Sequence, residues 1–446
     1  MRIADILISG VFIALCSIYF MIRIFIAKLG FKKYHHKKVL LVIQNYHTYE
    51  SIKTSGHEEM ITQTDLGGYF EKVITLYPTV GSDSGQPIGD FRGRSRSIRL
   101  NNIHLFLEYK MNAFKSIHFS IFSFIWSQFQ MLNEIISLSK QHNVSVVRGY
   151  CPFLTGLYSV IVGKCCSVPI TLRIGANYDL MYKNSGLMVY KKIFKNYKVA
   201  KKVANFVFRN SDCVSAVNLN NKEYCLANGA NPDKTHVVRY GNMIDPQHFE
   251  PPSERGLLDA DCVDFINRPV AICVGRLTKV KYPEDVLLAT QVATRSIPNL
   301  LTVIVGTGDM ELELVELSKD LEIQDNILFM GKRDQNFLAR LYPHANVYLS
   351  PLAGRTMVEA ALAGVPLIAY DYEWQKEIVK DTVTGLLVPF RDYEKMGQDI
   401  IRLLSNPELA SKLGLNARKN TLKLMDKSTI KEIEISLYDS LIELRA

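Results

Sequence analysis

The 446-residue sequence has eight cysteines but no CxxC pair and no cysteine–histidine spacing of a zinc site. Their pattern therefore supports neither a zinc ribbon nor a secreted disulfide framework. Cys16, Cys151, Cys165, Cys166, Cys213, Cys225, Cys262 and Cys273 read as reduced, mostly buried small hydrophobes of a cytosolic protein. A long disordered tail is also missing, since 48% hydrophobic and 22% charged residues are globular values. The net charge is +9, yet no nucleic-acid reading motif accompanies it, so nucleic acid is not an expected partner. Asn143-Val-Ser145 is a formal glycosylation sequon, a triplet common by chance.

Charge is absent from Ile6 to Ile22, and Ile24 to Ala27 continue the apolar run past Arg23. Residues 4–27 are long enough for a single membrane-spanning anchor, with Arg23 snorkelling to the interface. A cleaved signal peptide lacks its small-residue cleavage site here, while a helix lying on the membrane is the alternative geometry. Lys28, Lys32, Lys33, Lys37 and Lys38 follow the run and only Arg2 precedes it. The positive-inside rule then places the rest at the cytoplasmic face of a cytoplasmic or inner membrane. Between Lys183 and Arg209 lie eight Lys or Arg and no Asp or Glu. That run reads equally as a lipid-docking amphipathic surface or as a solvated basic face. Phe119 to Phe129 is open between core and membrane-facing helix.

The length suits two domains. Lys38 to Gln44, Lys72 to Leu76, Val144 to Val147, Pro169 to Leu172 and Cys213 to Val217 read as strands alternating with helices. They predict one Rossmann-like domain over 38–245. A polar stretch from Asp245 to Arg268 separates a second series over 265–425. Its strands are Val270–Val274, Leu301–Val305, Ile327–Met330, Val347–Ser350, Pro366–Ala369 and Gly385–Val388. Helical patterns lie between them at Pro283–Thr294, Met310–Leu321, Asp334–Tyr342 and Val358–Leu362. Residues 428–446 close the chain as an amphipathic helix with Ile430, Ile433, Leu437, Leu441 and Leu444 on one stripe. The expected class is therefore α/β, with two doubly wound domains facing a cleft.

Residues at the strand ends carry the chemistry. Gly275-Arg276 and Lys281 follow the first strand of the second series, where a glycine admits close backbone approach and two cations suit a diphosphate. A solvated basic turn is the plain alternative. Gly306-Thr-Gly308-Asp309 is a partial glycine fingerprint, weak alone. Gly354, Arg355 and Thr356 sit at a helix N-terminus suited to an anion. Glu359, one turn in, is placed to accept hydrogen bonds from a ribose diol, or else is a favourable charge at a helix start.

In order, Val274-Gly-Arg-Leu277, Lys281, Gly306-Thr-Gly-Asp309, Ser350-Pro351, Glu359-Ala-Ala-Leu-Ala-Gly-Val-Pro366, Glu377-Ile378 and Thr384-Gly-Leu-Leu-Val388 resemble the retaining glycosyltransferases of the GT-B fold, group 1 type. The resemblance runs from about Val237 to the C-terminus. It implies GT-B architecture, a hexosyltransferase using a nucleotide diphosphate sugar, and a terminal helix crossing back to the first domain. By it Arg276 and Lys281 hold the diphosphate and Glu359 the ribose, while Glu377 lies near the donor or at the domain interface. Val238-Arg-Tyr-Gly241-Asn242 looks like the group's interdomain turn, with glycine and asparagine in reversed order. A glutamate that often stands eight positions before the ribose glutamate is Pro351 here, which leaves Gly354, Arg355 and Thr356 as the sugar-side candidates.

The first half matches only in architecture. Arg148 and Arg173 at strand ends are candidates for a lipid-linked acceptor phosphate, and Asp179 for the acceptor hydroxyl. Structural salt bridges, Arg173 with Asp179 among them, compete with that reading. Gly56 is a possible donor-phosphate contact. No cofactor and no metal are expected; Asp259-Ala-Asp261 lies in the linker. A polysaccharide pathway with a polyprenyl-linked acceptor is the setting that the resemblance and the anchor suggest. Alternatives are an inactive nucleotide-sugar-binding scaffold and a nucleotide-sugar epimerase.

Overall fold

The computed structural model describes residues 2–29, 38–44, 48–54, 61–80, 95–110, 120–190, 193–194, 196–254, 268–352 and 354–443. The first domain opens with α1 (Arg2–Leu29), β1 (Val39–Ile43), α2 (Tyr49–Thr54) and β2 (Lys72–Val80). β3 (Ser95–Arg99), β4 (His104–Lys110), α3 (Ser120–Gln141), β5 (Val146–Gly149) and α4 (Leu154–Cys166) follow. It ends with β6 (Ile170–Ile174), α5 (Tyr178–Ser185), α6 (Tyr197–Arg209), β7 (Cys213–Ala216), α7 (Leu219–Ala227) and β8 (Thr235–Val237). Its sheet runs β3-β4-β2-β1-β5-β6-β7-β8, parallel except for the antiparallel β3–β4 pair. Every residue of β1 (VLLVI) is buried, as expected of a parallel strand covered on both faces by helices.

The second domain comprises β9 (Val270–Val274), α8 (Pro283–Thr294), β10 (Leu301–Val305), α9 (Glu311–Asp320), β11 (Ile327–Phe329) and α10 (Gln335–Leu341). It continues with β12 (Val347–Ser350), α11 (Arg355–Leu362), β13 (Leu367–Tyr370), α12 (Gln375–Ile378) and β14 (Leu386–Val388). The chain closes with α13 (Tyr393–Leu404), α14 (Pro407–Leu424) and α15 (Lys427–Glu443). The second sheet runs β11-β10-β9-β12-β13-β14, all parallel. Strand order reverses between β9 and β12, which is where a doubly wound sheet opens a crevice for a ligand.

Several elements differ from the sequence expectation. The β3–β4 hairpin was not predicted, because β3 (SRSIR) alternates exposed and half-buried residues and carries Arg96 and Arg99, the charged pattern of a protected edge. On α15 the buried face is Ile430, Glu434, Tyr438 and Leu441, and Ile433 of the predicted stripe is 42% exposed. Polar groups take the inner face there because the first domain presents arginines to it. Helices α13 and α14 also lie beyond the predicted set.

Helix α15 crosses back to the first domain. Lys38 Nζ and Tyr69 OH both reach Asp439 Oδ1, at 2.8 and 2.7 Å, and Tyr438 packs edge-on to Phe70. Gly241, in the connection between the domains, lies so close to this helix's start that a Cβ would stand 2.3 Å from Met425 O.

Helix α1 contains one stretch, Gly10–Ala27, long and apolar enough to cross a membrane. It does not stand free of the first domain. Phe12 meets Phe122, Trp126 and Phe129 of α3, Tyr19 OH and Arg23 Nη1 both donate to Asn133 Oδ1, and Ser167 Oγ donates to Ala27 O. All described cysteines are free.

Candidate active site

The loops after β9, β10 and β11 are laced edge to edge. Gly275 N donates to Val305 O, Leu277 N to Thr307 O, Gly306 N to Gly331 O and Met310 N to Leu277 O, at 2.9–3.1 Å. This contact dictates the glycines. Gly306 has φ +143°, and a Cβ there would lie 1.8 Å from Gly275 O, so only glycine fits. Packing between these loops thus accounts for the glycine at Gly306. Gly275 and Gly354 differ, because a Cβ on either would meet nothing within 4 Å.

Between the ends of β9 and β12 lies a pocket lined by Gly275, Arg276, Lys281, Ser350, Pro351 and Gly354, among others. Lys281 closes a tight turn, its N–H on Thr278 O at 2.8 Å. Tyr282 then takes a left-handed conformation (φ 52°) before Pro283 starts α8. Burial and the neighbouring Arg276 cation hold the Lys281 ammonium below the ordinary lysine range, against the opposing pull of Glu373. Among the described residues neither Arg276 nor Lys281 forms a side-chain hydrogen bond or a 4 Å ion pair. Two cations side by side at the crevice of a doubly wound sheet are chemically suited to an anion with several oxygens.

The β12 side is rigid. Ser350 Oγ bonds to Gln375 Oε1, and Gln375 Nε2 donates to Pro351 O and Tyr370 O. Gly354 caps α11 without a side-chain cap, leaving the first amides of the helix for other acceptors. Thr356 Oγ1 donates to Val274 O at 2.8 Å and accepts from Tyr348 OH at 2.9 Å, which ties the helix start to β9. Arg355 Nη1 donates to Met243 O of the interdomain connection at 3.0 Å.

Glu359 does not line this pocket. Its side chain is 4% exposed, and Oε2 accepts from Tyr342 OH at 3.1 Å with His248 Nε2 at 4.0 Å. Among the described residues Oε1 accepts no hydrogen bond.

Across the cleft the expected residues have other partners. Arg148 Nη1 donates to Glu434 Oε1 at 2.8 Å and to Tyr438 OH at 3.0 Å. Arg173 Nη1 reaches Glu434 Oε2 at 3.3 Å, and its Nη2 donates to Arg239 O. The partner is therefore Glu434 of α15, not Asp179, and the two arginines are only 4% and 3% exposed. Asp179 is turned into its own domain, accepting from Tyr197 OH, Lys201 Nζ and Asn228 Nδ2. Burial alone would raise its carboxyl, but these donors outweigh burial and hold it below the ordinary range. That arrangement leaves little basicity for an acceptor proton. Glu377 lies at the domain interface, accepting from Leu219 N and Arg239 Nη1, each at 2.7 Å. Gly56 lies outside the described residues.

Sequence reasoning missed Glu434, Tyr342, His248 and Arg239. For Glu434 a signal existed, because it falls between Ile430 and Leu437 on a helix whose apolar stripe points inward. The other three carry no local pattern.

Residues 265–420 match the family model described as Glycosyl transferases group 1. The chain is 23% identical to N-acetyl-alpha-D-glucosaminyl L-malate synthase of Bacillus anthracis, over 82% of this chain and 96% of that one. HepE of Anabaena, solved in complex with UDP, has 14% identity and a TM-score of 0.66 over 91% of this chain and 100% of its own. Sucrose-phosphate synthase of Thermosynechococcus elongatus has 16% identity and a TM-score of 0.67 over 92% and 100%. These two structures share the two-domain GT-B-like fold with this chain.

Proposed function

We propose that this chain, a glycosyltransferase, moves a hexose from a nucleotide diphosphate sugar to a lipid-linked or polysaccharide acceptor at the cytoplasmic membrane face, with retained configuration. The carrying observation is the Arg276–Lys281 pair, two cations at the sheet crevice that form no 4 Å ion pair among the described residues. Breaking the bond between the anomeric carbon and the diphosphate oxygen leaves the electron pair on the diphosphate. Arg276, Lys281 and the uncapped amides at Gly354–Thr356 meet that developing charge. The acceptor oxygen bonds to the same face of the anomeric carbon, and its proton goes to the departing diphosphate oxygen. Glu359, outside the pocket lined by Arg276 and Lys281, is the ribose carboxylate of this reading, with Tyr342 OH on its Oε2 and Oε1 left for the diol. Gly275, without a side chain, lets the main chain approach the ligand closely, and Arg355 and Glu377 hold the two domains around it.

The leaving group of this reading is the class of ligand named with HepE, UDP. The membrane setting is supported by the Gly10–Ala27 stretch and the lysines that follow α1.

The test is turnover of the purified protein with a panel of nucleotide sugars in EDTA. One donor is expected to yield free nucleoside diphosphate and glycosylated acceptor, and Arg276→Ala with Lys281→Ala to abolish donor binding. Undiminished transfer by that double variant would overturn the donor site, and strict dependence on added divalent metal would overturn metal-free leaving-group stabilisation.

A further inference from the structure

We propose that an apolar groove on the first domain, bounded by α1, α3, α4 and α6, holds the hydrocarbon chain of the lipid that carries the acceptor. This rests on the lipid-linked acceptor of the preceding reading and names where its chain goes. The groove encloses about 680 Å³ and is walled by Phe20, Ile24, Ile125, Leu157, Ile161 and Phe206. That volume falls in the range of sites that bury a small ligand, roughly 300–1,000 Å³.

The chemistry of the lining selects the occupant. Ser17 Oγ donates to Ile13 O, Tyr158 OH to Gln128 Oε1 and Asn210 Nδ2 to Phe206 O, at 2.7–2.8 Å. These polar lining groups are satisfied within the protein. A peptide in the groove would leave its backbone amides unpaired, at a cost of kilocalories for each, whereas an alkyl or prenyl chain has nothing to pair. Among the described residues Lys164 is the one charged member of the lining, with a stem able to lie along apolar surface while its ammonium reaches water.

Position supports the same occupant. One wall is α1, whose Gly10–Ala27 stretch is almost wholly unburied, and Ile13 and Met21, which line the groove, are themselves exposed. The groove is thus continuous with the surface that would meet a bilayer. It follows α4 from Leu154, just after the strand-end loop at Gly149, to Lys164. Ten helical residues span about 15 Å, so a chain lying along them ends near the carboxyl edge of the first sheet, where the acceptor head is required.

The test uses the full chain in lipid nanodiscs with a diazirine-bearing polyprenyl phosphate and, separately, the lipid-linked acceptor. Leu157→Trp and Ile161→Trp each place an indole in the groove from a half-buried position. Expected are photolabelling of α1 and α4, at least fivefold less labelling in both variants, and an acceptor KM raised about tenfold with unchanged donor affinity. Use of the lipid acceptor with labelling and KM untouched by both tryptophans overturns the groove while leaving the preceding reading standing. Transfer only to water-soluble acceptors sinks that reading and the groove with it.

Discussion

Glu434 stands 2.8 Å from Arg148, a residue 286 positions earlier in the chain, and 3.3 Å from Arg173. One carboxylate on the last helix is therefore shared by two guanidinium groups at the carboxyl edge of the first sheet. All three side chains are at most 5% exposed, and Arg148 Nε and Nη2 find no hydrogen-bond acceptor. Removing the shared anion leaves two buried cations uncompensated. Glu434→Ala is expected to lower unfolding stability by about 3–5 kcal/mol, read as a shifted urea midpoint. A loss under about 1 kcal/mol would show that water reaches the arginines.

Lys281 yields a pH prediction. Its charged form is disfavoured in the free protein by burial and by Arg276, so deprotonation begins below the ordinary lysine range. A bound diphosphate favours the charged form and raises the pKa again. Nucleotide affinity therefore falls as pH rises through the lowered Lys281 pKa. Calorimetry against pH should show this alkaline limb, and Lys281→Arg, which keeps its charge throughout, should remove it. The same limb in the arginine variant would assign it to another group.

The second domain was largely legible in the sequence because its signals are local. β9, β10, β12 and α8 fall on their predicted residues, since continuous β-branched runs between glycine turns have few other uses in a helix-covered sheet. Arg276, Lys281 and Gly354 come together in one pocket because each ends or follows a strand. What was not legible depends on residues far apart in sequence. Glu359 lies beneath Tyr342, Asp179 faces Tyr197 and Asn228, and Arg148 meets Glu434, pairings set by how whole elements pack. No spacing along one strand or helix encodes them.

Asp179→Asn separates a proton acceptor from a packing hub. As a hub, Asp179 joins the start of α5 to Lys201 of α6 and to Asn228 after α7. Its depressed pKa gives stability that is present above the unfolded carboxylate value, about 3.9, and lost as pH falls through the folded pKa. The amide variant should be less stable at neutral pH, with the difference vanishing in acid, and kcat should fall less than tenfold. A general base would cost on the order of 10²–10⁴ in rate, and a loss of that size with unchanged stability would return Asp179 to the chemistry.

Glu377 fixes the relation of the two domains. Its Oε1 accepts from the first free amide of α7 in the first domain, and its Oε2 from Arg239 in the connection. Both bonds involve a charged group in a site where the Glu377 side chain is 8% exposed, so each is stronger than a surface contact. Because α12 follows β13, whose end borders the cleft, loosening this bridge should misplace the first domain against the second. Glu377→Ala is expected to raise the donor KM about tenfold, roughly 1.4 kcal/mol. Arg239→Ala should reproduce only part of this, since Leu219 N keeps its acceptor. The double variant should then fall short of additivity by about 1 kcal/mol or more, the coupling of two residues in contact. Additive losses would mean that Glu377 acts on the donor by itself and not through the bridge.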